Sequence, residues 1–158
     1  REVAGVARPH PVVDLAAEVA DTRSRRVGKA NVLDFELLLE PVHMVIAGNL
    51  MLVHTVRQGL DIVEAVGHPA LRLLADVFHG AVTGETFEQA FADRTELVGH
   101  VQVADFEGRH ELGTGRLDWS GLVPLLQRRG YRGDIGLEYL PTLPITESLA
   151  LSRQTLGL

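Results

Sequence analysis

Short apolar runs alternate with longer amphipathic stretches along the 158 residues of this chain. The apolar runs have the length of buried strands and end at turn or acidic residues; they lie at 35–39, 71–75, 99–104 and 134–138. The amphipathic stretches repeat apolar side chains at helical spacing; they lie at 12–24, 51–65, 85–97, 119–129 and 146–155. Because parallel strands need long return connections, this alternation predicts a parallel sheet with helical crossovers.

The α/β pattern fits two architectures, a small doubly wound sheet and part of a (βα)8 barrel. The sequence contains neither a GxGxxG turn after a strand nor a GxxxxGK[ST] motif, so a nucleotide-binding sheet has no support. Four βα units would make half of a barrel that normally needs about 250 residues. We expect one domain over residues 1–158, with a leading helical segment at 1–32 and four βα units at 33–158, and both architectures stay open at this point.

Composition removes several classes of function. The chain has no cysteine, which excludes disulfides, thiolate metal sites and cysteine nucleophiles. A net charge of −6 and a pI of about 5.6 argue against nucleic acid as a partner. No apolar run approaches the length of a membrane span, and residues 1–8 lack the apolar segment of a signal peptide. We therefore expect a cytoplasmic protein with no membrane partner.

Every predicted strand has an oxygen-bearing side chain at or near its C-terminal end. These side chains are Glu40, Asp76, Gln102 and Glu138. The carboxyl edge of a parallel sheet is where active sites gather, and three carboxylates with one amide oxygen suit Mg²⁺ or Mn²⁺. The alternative is that the acidic residues only cap helices or start turns. Gln102 favours the metal, because it lies between Val101 and Val103 and a polar group among core residues needs a partner.

Two further residues are candidates for contact with a substrate. His79 follows Asp76 by three residues, close enough to share one site with it, although it could equally face solvent. Arg109 lies in a glycine-containing loop, where its guanidinium could grip a carboxylate or phosphate through two hydrogen bonds. The alternative for Arg109 is a solvated loop side chain.

Other polar residues of the same region have structural interpretations. We expect Asp105 and Glu111 to organise the loop, and Asp118 to cap the helix that contains Trp119. Trp119 itself is predicted to pack in the core.

Four segments, in the same order along the chain, resemble hydroxypyruvate isomerases. They are Leu-Leu-Leu-Glu-Pro at 37–41, Leu-Leu-Ala-Asp-Val-Phe-His at 73–79, Gly-His-Val-Gln-Val-Ala-Asp at 99–105 with Gly-Arg-His-Glu-Leu-Gly-Thr-Gly at 108–115, and Gly-Asp-Ile-Gly-Leu-Glu-Tyr at 133–139. The stretch from Gln102 to Gly115 is the most specific. The resemblance covers residues 33–149.

That family belongs to the xylose-isomerase-like (βα)8 barrels, so the resemblance implies strands five to eight of such a barrel. It implies a divalent metal, Mg²⁺ or Mn²⁺, on Glu40, Asp76, Gln102 and Glu138. It also implies that Glu40 and Glu138 exchange protons with the substrate. His79 and Arg109 would hold a small hydroxy-oxo acid during interconversion of hydroxypyruvate and tartronate semialdehyde.

Two alternatives remain open at this point. One is a sugar epimerase or isomerase of the same superfamily, against which Gln102 counts because ketose epimerases usually carry histidine there. The other is a truncated, inactive relative that serves as a metal-binding or assembly module. Half a barrel leaves two open sheet edges and an exposed apolar face, so we also predict a homodimer that closes the barrel.

Overall fold

The four apolar runs form one parallel sheet in the computed structural model, which describes residues 36–46, 49–91 and 94–158. The strands are β1 (Leu37–Leu39), β2 (Val45–Ile46), β3 (Asn49–Leu50), β4 (Leu71–Asp76), β5 (Val98–Val103) and β6 (Ile135–Leu137). The sheet has the order β1-β4-β5-β6, while β2 and β3 form a separate antiparallel pair. Strand order thus follows the chain without reversal, as in a barrel and unlike a doubly wound sheet.

Helices occupy the connections between these strands. They are α1 (Val56–Val66), α2 (Val77–Val82), α3 (Phe87–Phe91), α4 (Leu122–Arg128) and α5 (Ile145–Leu156), with 3-10 turns at Thr95–Leu97 and Trp119–Gly121. None of the described helices combines the length and the apolar composition that a bilayer crossing requires.

The chain divides into two units, Arg1–Asp34 and Phe35–Leu158, and the described residues all belong to the second. The helix predicted at 12–24 and the leading segment predicted at 1–32 lie outside the described residues.

Alternate residues of the two central strands bury one face of the sheet. Leu73 and Ala75 of β4, and Val101 and Val103 of β5, are almost completely buried with the apolar side chains of the helices. Side chains alternate between the faces of a strand, so Asp76 and Gln102, which are paired in register, belong to the opposite face. The core face is therefore apolar, and the other face carries the polar residues of the site.

The outer strands of the sheet are β1 and β6, and neither has a second strand partner among the described residues. Leucines at both edges remain open to solvent, with Leu37 54% and Leu137 36% exposed. These open edges do not by themselves show a second copy, so the homodimer stays a prediction.

Helix α1 begins later than the predicted helix at 51–65. The Thr55 hydroxyl accepts the backbone N–H of Gln58, and the Gln58 side chain accepts that of Thr55, which forms a capping box. The helix ends at Gly67, whose positive φ of 57° suits glycine. These local hydrogen bonds, rather than apolar spacing, set the first residue of α1.

The prediction of one continuous helix at 85–97 is wrong. The structure has the short helix α3 and a separate 3-10 turn at Thr95–Leu97. It also has α2, which sequence periodicity missed because six residues are too short to show a period. Asp76 starts α2 directly from β4 by accepting the backbone N–H of Phe78 at 2.8 Å.

The short pair of β2 and β3 was not predicted from the sequence. Val45 pairs with Leu50 and Ile46 pairs with Asn49. The pairing involves only two residues on each side, so alternation could not reveal it.

Gly59 lies where α1 packs tightly against Leu73 of the sheet and against Pro41. A Cβ atom at this position would lie 2.5 Å from Leu73 Cδ1 and 2.6 Å from Pro41 Cγ. We expect Gly59→Ala to lower the free energy of unfolding by about 1–3 kcal/mol, since the helix must move off its neighbours. Urea denaturation measures the change. Gly121→Ala is the control, because its Cβ would meet no atom within 4 Å; equal stability of the two variants would contradict the tight packing.

Candidate metal centre and active site

The carboxyl edge of the sheet brings the predicted site residues to one region. Glu40 follows the last residue of β1, Asp76 ends β4, and Gln102 lies beside Asp76 in the β4–β5 register. Glu138 follows β6, and its backbone N–H donates to the Val103 carbonyl at 3.0 Å. Parallel pairing therefore gathers residues that are far apart in the sequence.

Glu40, Asp76 and His79 form a group that could hold a metal ion. Each offers one ligand atom, and these atoms all lie within 4.8 Å of one another. Asp76 and His79 are 1% and 4% exposed, so the solvent-facing alternative for His79 is excluded. The turn of α2 places the His79 Nε2 atom 3.6 Å from the Asp76 Oδ2 atom. The sequence analysis assigned His79 to the substrate. It missed the short helix α2, which places His79 where it could bind a metal ion.

Arg109 lies between the carboxylates of Asp76 and Glu138. Its Nη2 atom donates to Asp76 Oδ2 at 2.9 Å and to Glu138 Oε2 at 2.5 Å. Its Nη1 atom lies 3.2 Å from His79 Nε2. The guanidinium also lies over the Phe78 ring, 5.0 Å from its centroid, a contact that the sequence did not suggest. These contacts hold Arg109 in the site, and the alternative of a solvated loop side chain is therefore excluded.

The backbone of Arg109 adopts a left-handed conformation with φ of 56°. Such a φ is uncommon for a residue other than glycine. The neighbouring Gly108 has a positive φ as well. The loop therefore turns back sharply at these two residues, and the arginine is directed to the rim of the sheet.

Burial and neighbouring charges shift the pKa values of the three clustered groups. Burial raises the pKa of Asp76 to about 6, although Arg109 and the Phe78 N–H act in the opposite direction. Burial, together with the charge of Glu138, raises the pKa of Glu40. Burial and the charge of Arg109 lower the pKa of His79, which keeps its imidazole neutral near pH 7. Neutral imidazole is the form that binds a metal.

Gln102 has a side-chain oxygen that needs a partner. Its Oε1 atom is buried and accepts no hydrogen bond within the described part of the chain. A buried oxygen without a donor costs free energy, and a cation would satisfy it. With the carboxylates of Glu40 and Asp76 and the imidazole of His79, the donor set fits a divalent ion. Glu138 does not belong to this cluster of mutually close donors, and its carboxylate contacts Arg109.

Asp105 organises the loop that carries Arg109, as the sequence indicated. Its completely buried carboxylate accepts four hydrogen bonds. The donors are the N–H groups of Phe106 (2.8 Å), Gly113 (2.7 Å), Leu117 (3.2 Å) and the Trp119 indole (3.0 Å). Two other expectations are confirmed: Asp118 accepts the backbone N–H of Ser120 as the cap of the next helical turn, and Trp119 packs in the core.

We expect Asp105→Asn to unfold this loop before the rest of the protein. An amide has only one acceptor oxygen, so its NH₂ group would face two of the four N–H donors. Leaving these buried donors unpaired costs about 1–3 kcal/mol or more. Hydrogen exchange of the Gly113 and Leu117 amides measures the loss. Trp119→Phe is the matched control, since it removes one donor and keeps the acceptor; if Asp105→Asn is no more destabilising than this control, the loop does not depend on the carboxylate.

Comparisons with known proteins agree with this architecture. Residues 11–155 match the family described as "Xylose isomerase-like TIM barrel". A Mus musculus protein named "Putative hydroxypyruvate isomerase" is 37% identical over 117 residues, which cover 73% of this chain and 42% of that protein. The Escherichia coli (strain K12) hydroxypyruvate isomerase is 30% identical over 108 residues, or 68% of this chain and 42% of the enzyme. The chain thus spans less than half the length of these relatives.

A solved structure shows the same fold. The IOLI protein, whose crystal structure contains a zinc atom, has a TM-score of 0.71 over 95% of this chain and 58% of its own, at 18% identity. Together with the order of the strands, this match confirms the prediction of part of a (βα)8 barrel.

Proposed function

Because the chain belongs to the xylose isomerase-like TIM barrel family, we propose that its site is that of a metal-dependent isomerase acting on hydroxypyruvate. The reaction interconverts hydroxypyruvate and tartronate semialdehyde. The observation that carries the proposal is the arrangement of Glu40, Asp76, His79, Arg109 and Glu138 at one edge of the sheet. The named relatives at 30–37% identity support the choice of substrate.

The reaction moves a proton from C3 of hydroxypyruvate to C2, and two carboxylates suit this transfer. One removes the proton from C3 and leaves an enediolate, the hydroxyl proton passes from the C3 oxygen to the C2 oxygen, and the other carboxylate delivers a proton to C2. Glu40 and Glu138 follow the two outer strands of the sheet and therefore approach a substrate from two sides. Burial raises the pKa of Glu40, which brings it nearer the range of an effective acid–base group.

Glu40, Asp76, His79 and Gln102 would hold the divalent ion, with Glu138 as the further ligand that the resemblance implies. When bound, Mg²⁺ or Mn²⁺ would stabilise the negative charge that develops on the substrate oxygens. Arg109 would bind the substrate carboxylate by exchanging its present contact with Glu138 for one with the substrate. Neutral His79 would bind the ion through one ring nitrogen and donate a hydrogen bond from the other, without adding charge.

The test is turnover of hydroxypyruvate in D₂O by the purified chain with added Mn²⁺ or Mg²⁺, followed by proton NMR. We expect tartronate semialdehyde with deuterium at C2, because the donor carboxylate exchanges its proton with solvent. Protein treated with EDTA is the control and should be inactive. Saturable Mn²⁺ binding without turnover of hydroxypyruvate or of ketoses would instead indicate the inactive relative, and turnover of ketoses alone would indicate the epimerase. The cytoplasmic location stays a prediction.

A further inference from the structure

Glu111 is completely buried, and it is not one of the residues proposed to bind the metal ion or the substrate. It belongs to the β5 loop, which we define as residues 104–116. Its partners belong to the β6 loop, defined as residues 138–144. The Glu111 Oε1 atom accepts the backbone N–H groups of Thr142 at 2.7 Å and Leu143 at 3.0 Å, and Oε2 accepts the Thr142 hydroxyl at 2.9 Å. One side chain therefore joins the two loops.

The same two loops carry Arg109 and Glu138. The Arg109 Nε atom donates to the Glu138 carbonyl at 3.2 Å, and the Leu140 N–H donates to the Arg109 carbonyl at 2.8 Å. The His110 Nδ1 atom lies 2.8 Å from the Leu140 carbonyl oxygen. The position of one loop relative to the other therefore sets the distance between the Arg109 guanidinium and the Glu138 carboxylate.

Packing contributes little to the position of the β6 loop. All residues from Leu140 to Glu147 have exposed side chains. The buried end of this segment is Ser148, whose hydroxyl lies 2.7 Å from the Tyr139 hydroxyl. Between Tyr139 and Ser148, the partly buried hydrogen bonds to Glu111 hold Thr142 and Leu143.

We infer that Glu111 is a positioning residue that clamps the β6 loop to the β5 loop and so keeps Glu138 within reach of Arg109. The inference rests on the proposed function for its catalytic consequence, but the contact itself can be measured without activity. Although burial acts against ionisation, the N–H groups of Glu111 itself, Leu143 and Thr142 and the Thr142 hydroxyl lower the pKa of Glu111 to about 2. The clamp is therefore a charged acceptor at neutral pH, and charged acceptors make the stronger hydrogen bonds.

The experiment measures solvent exchange of the Arg109 Nε–H by ¹⁵N NMR on the full chain, with Arg109→Lys to assign the signal. We expect slow exchange in the unmodified protein and exchange roughly tenfold faster or more in Glu111→Gln, where the amide presents an NH₂ group to the donors of the β6 loop. Thr142→Val removes only the hydroxyl donor and should change exchange in the same direction by less. Should Glu111→Gln fail to fold, Thr142→Val still decides the question.

Leu60→Val is the control for a general loss of stability, because Leu60 is buried in α1 away from both loops. Unchanged Arg109 exchange in the Glu111 and Thr142 variants, equal acceleration in Leu60→Val, or fast exchange in the unmodified protein would each overturn the inference. If the protein turns over hydroxypyruvate, Glu111→Gln should also lower kcat by about 100-fold with a smaller change in KM. An inactive protein with the expected exchange rates would contradict the proposed function and leave the clamp supported.

Discussion

Glu138→Gln should lower kcat for hydroxypyruvate by about 10²–10⁴-fold, because the amide cannot remove or return a proton. The fold should survive, since the Glu138 side chain is 48% exposed and lies at the rim of the sheet. The amide oxygen can still accept the hydrogen bond from Arg109, so the substitution removes the carboxylate and little else. Initial rates at saturating Mn²⁺ and urea denaturation of the same sample measure the two effects.

Glu147→Gln is the matched control for this experiment. Glu147 is an exposed glutamate in the first turn of α5, and no hydrogen bond or ion pair joins it to the site in the part of the chain that the structure describes. The control should keep full activity. Undiminished turnover in Glu138→Gln would contradict a mechanism with two glutamates, and the proton would then have to move through Glu40 alone.

Asp76→Asn should have opposite effects on metal binding and on stability. The variant loses a charged ligand at the centre of the cluster, so we expect affinity for Mn²⁺ to fall by at least about 100-fold. The metal-free variant should be more stable than the unmodified protein near pH 7, by less than about 3 kcal/mol, because its NH₂ group replaces the oxygen that accepts from Arg109. The amide stays neutral, whereas burial of the ionised Asp76 carboxylate is costly; its Oδ1 can still cap α2.

The pH dependence follows from the pKa of about 6 for Asp76, which is above its ordinary value of 3.8. Folding then favours the protonated form, so the contribution of Asp76 to stability is fully present below about pH 4 and is lost as the pH rises through 6. The stability difference between the variant and the unmodified protein should accordingly shrink as the pH falls from 7 to 4. Mn²⁺ affinity of the unmodified protein should weaken below pH 6, because protons compete with the ion.

Calorimetric titration of Mn²⁺ and urea denaturation with EDTA measure these two effects. Asp118→Asn is the control, because Asp118 also caps a helical turn through its side chain and lies outside the metal cluster. It should bind Mn²⁺ normally and gain no stability. Normal Mn²⁺ binding by Asp76→Asn would remove Asp76 from the ligand set.

The sequence by itself determined the strands and the order of the candidate site residues along the chain. Apolar runs of strand length predicted β4 and β5 closely, because buried strands need continuous apolar residues whatever their neighbours are. The regular occurrence of Glu40, Asp76, Gln102 and Glu138 after successive strands predicted one polar edge, since parallel strands end at the same edge. The organising role of Asp105 followed from its place in a glycine-rich loop, while the structure revealed its burial.

Only the tertiary structure decided how these side chains meet. Helix α2 was invisible in the sequence because it is short, yet it places His79 in the group that could hold a metal ion. Arg109 joins Asp76 to Glu138 because β5 and β6 are neighbours and because its own backbone turns back on itself. The clamp of Glu111 on Thr142 and Leu143 links residues about 30 positions apart. Contacts of this kind depend on the distance between loops in space, which residue patterns along one chain do not encode.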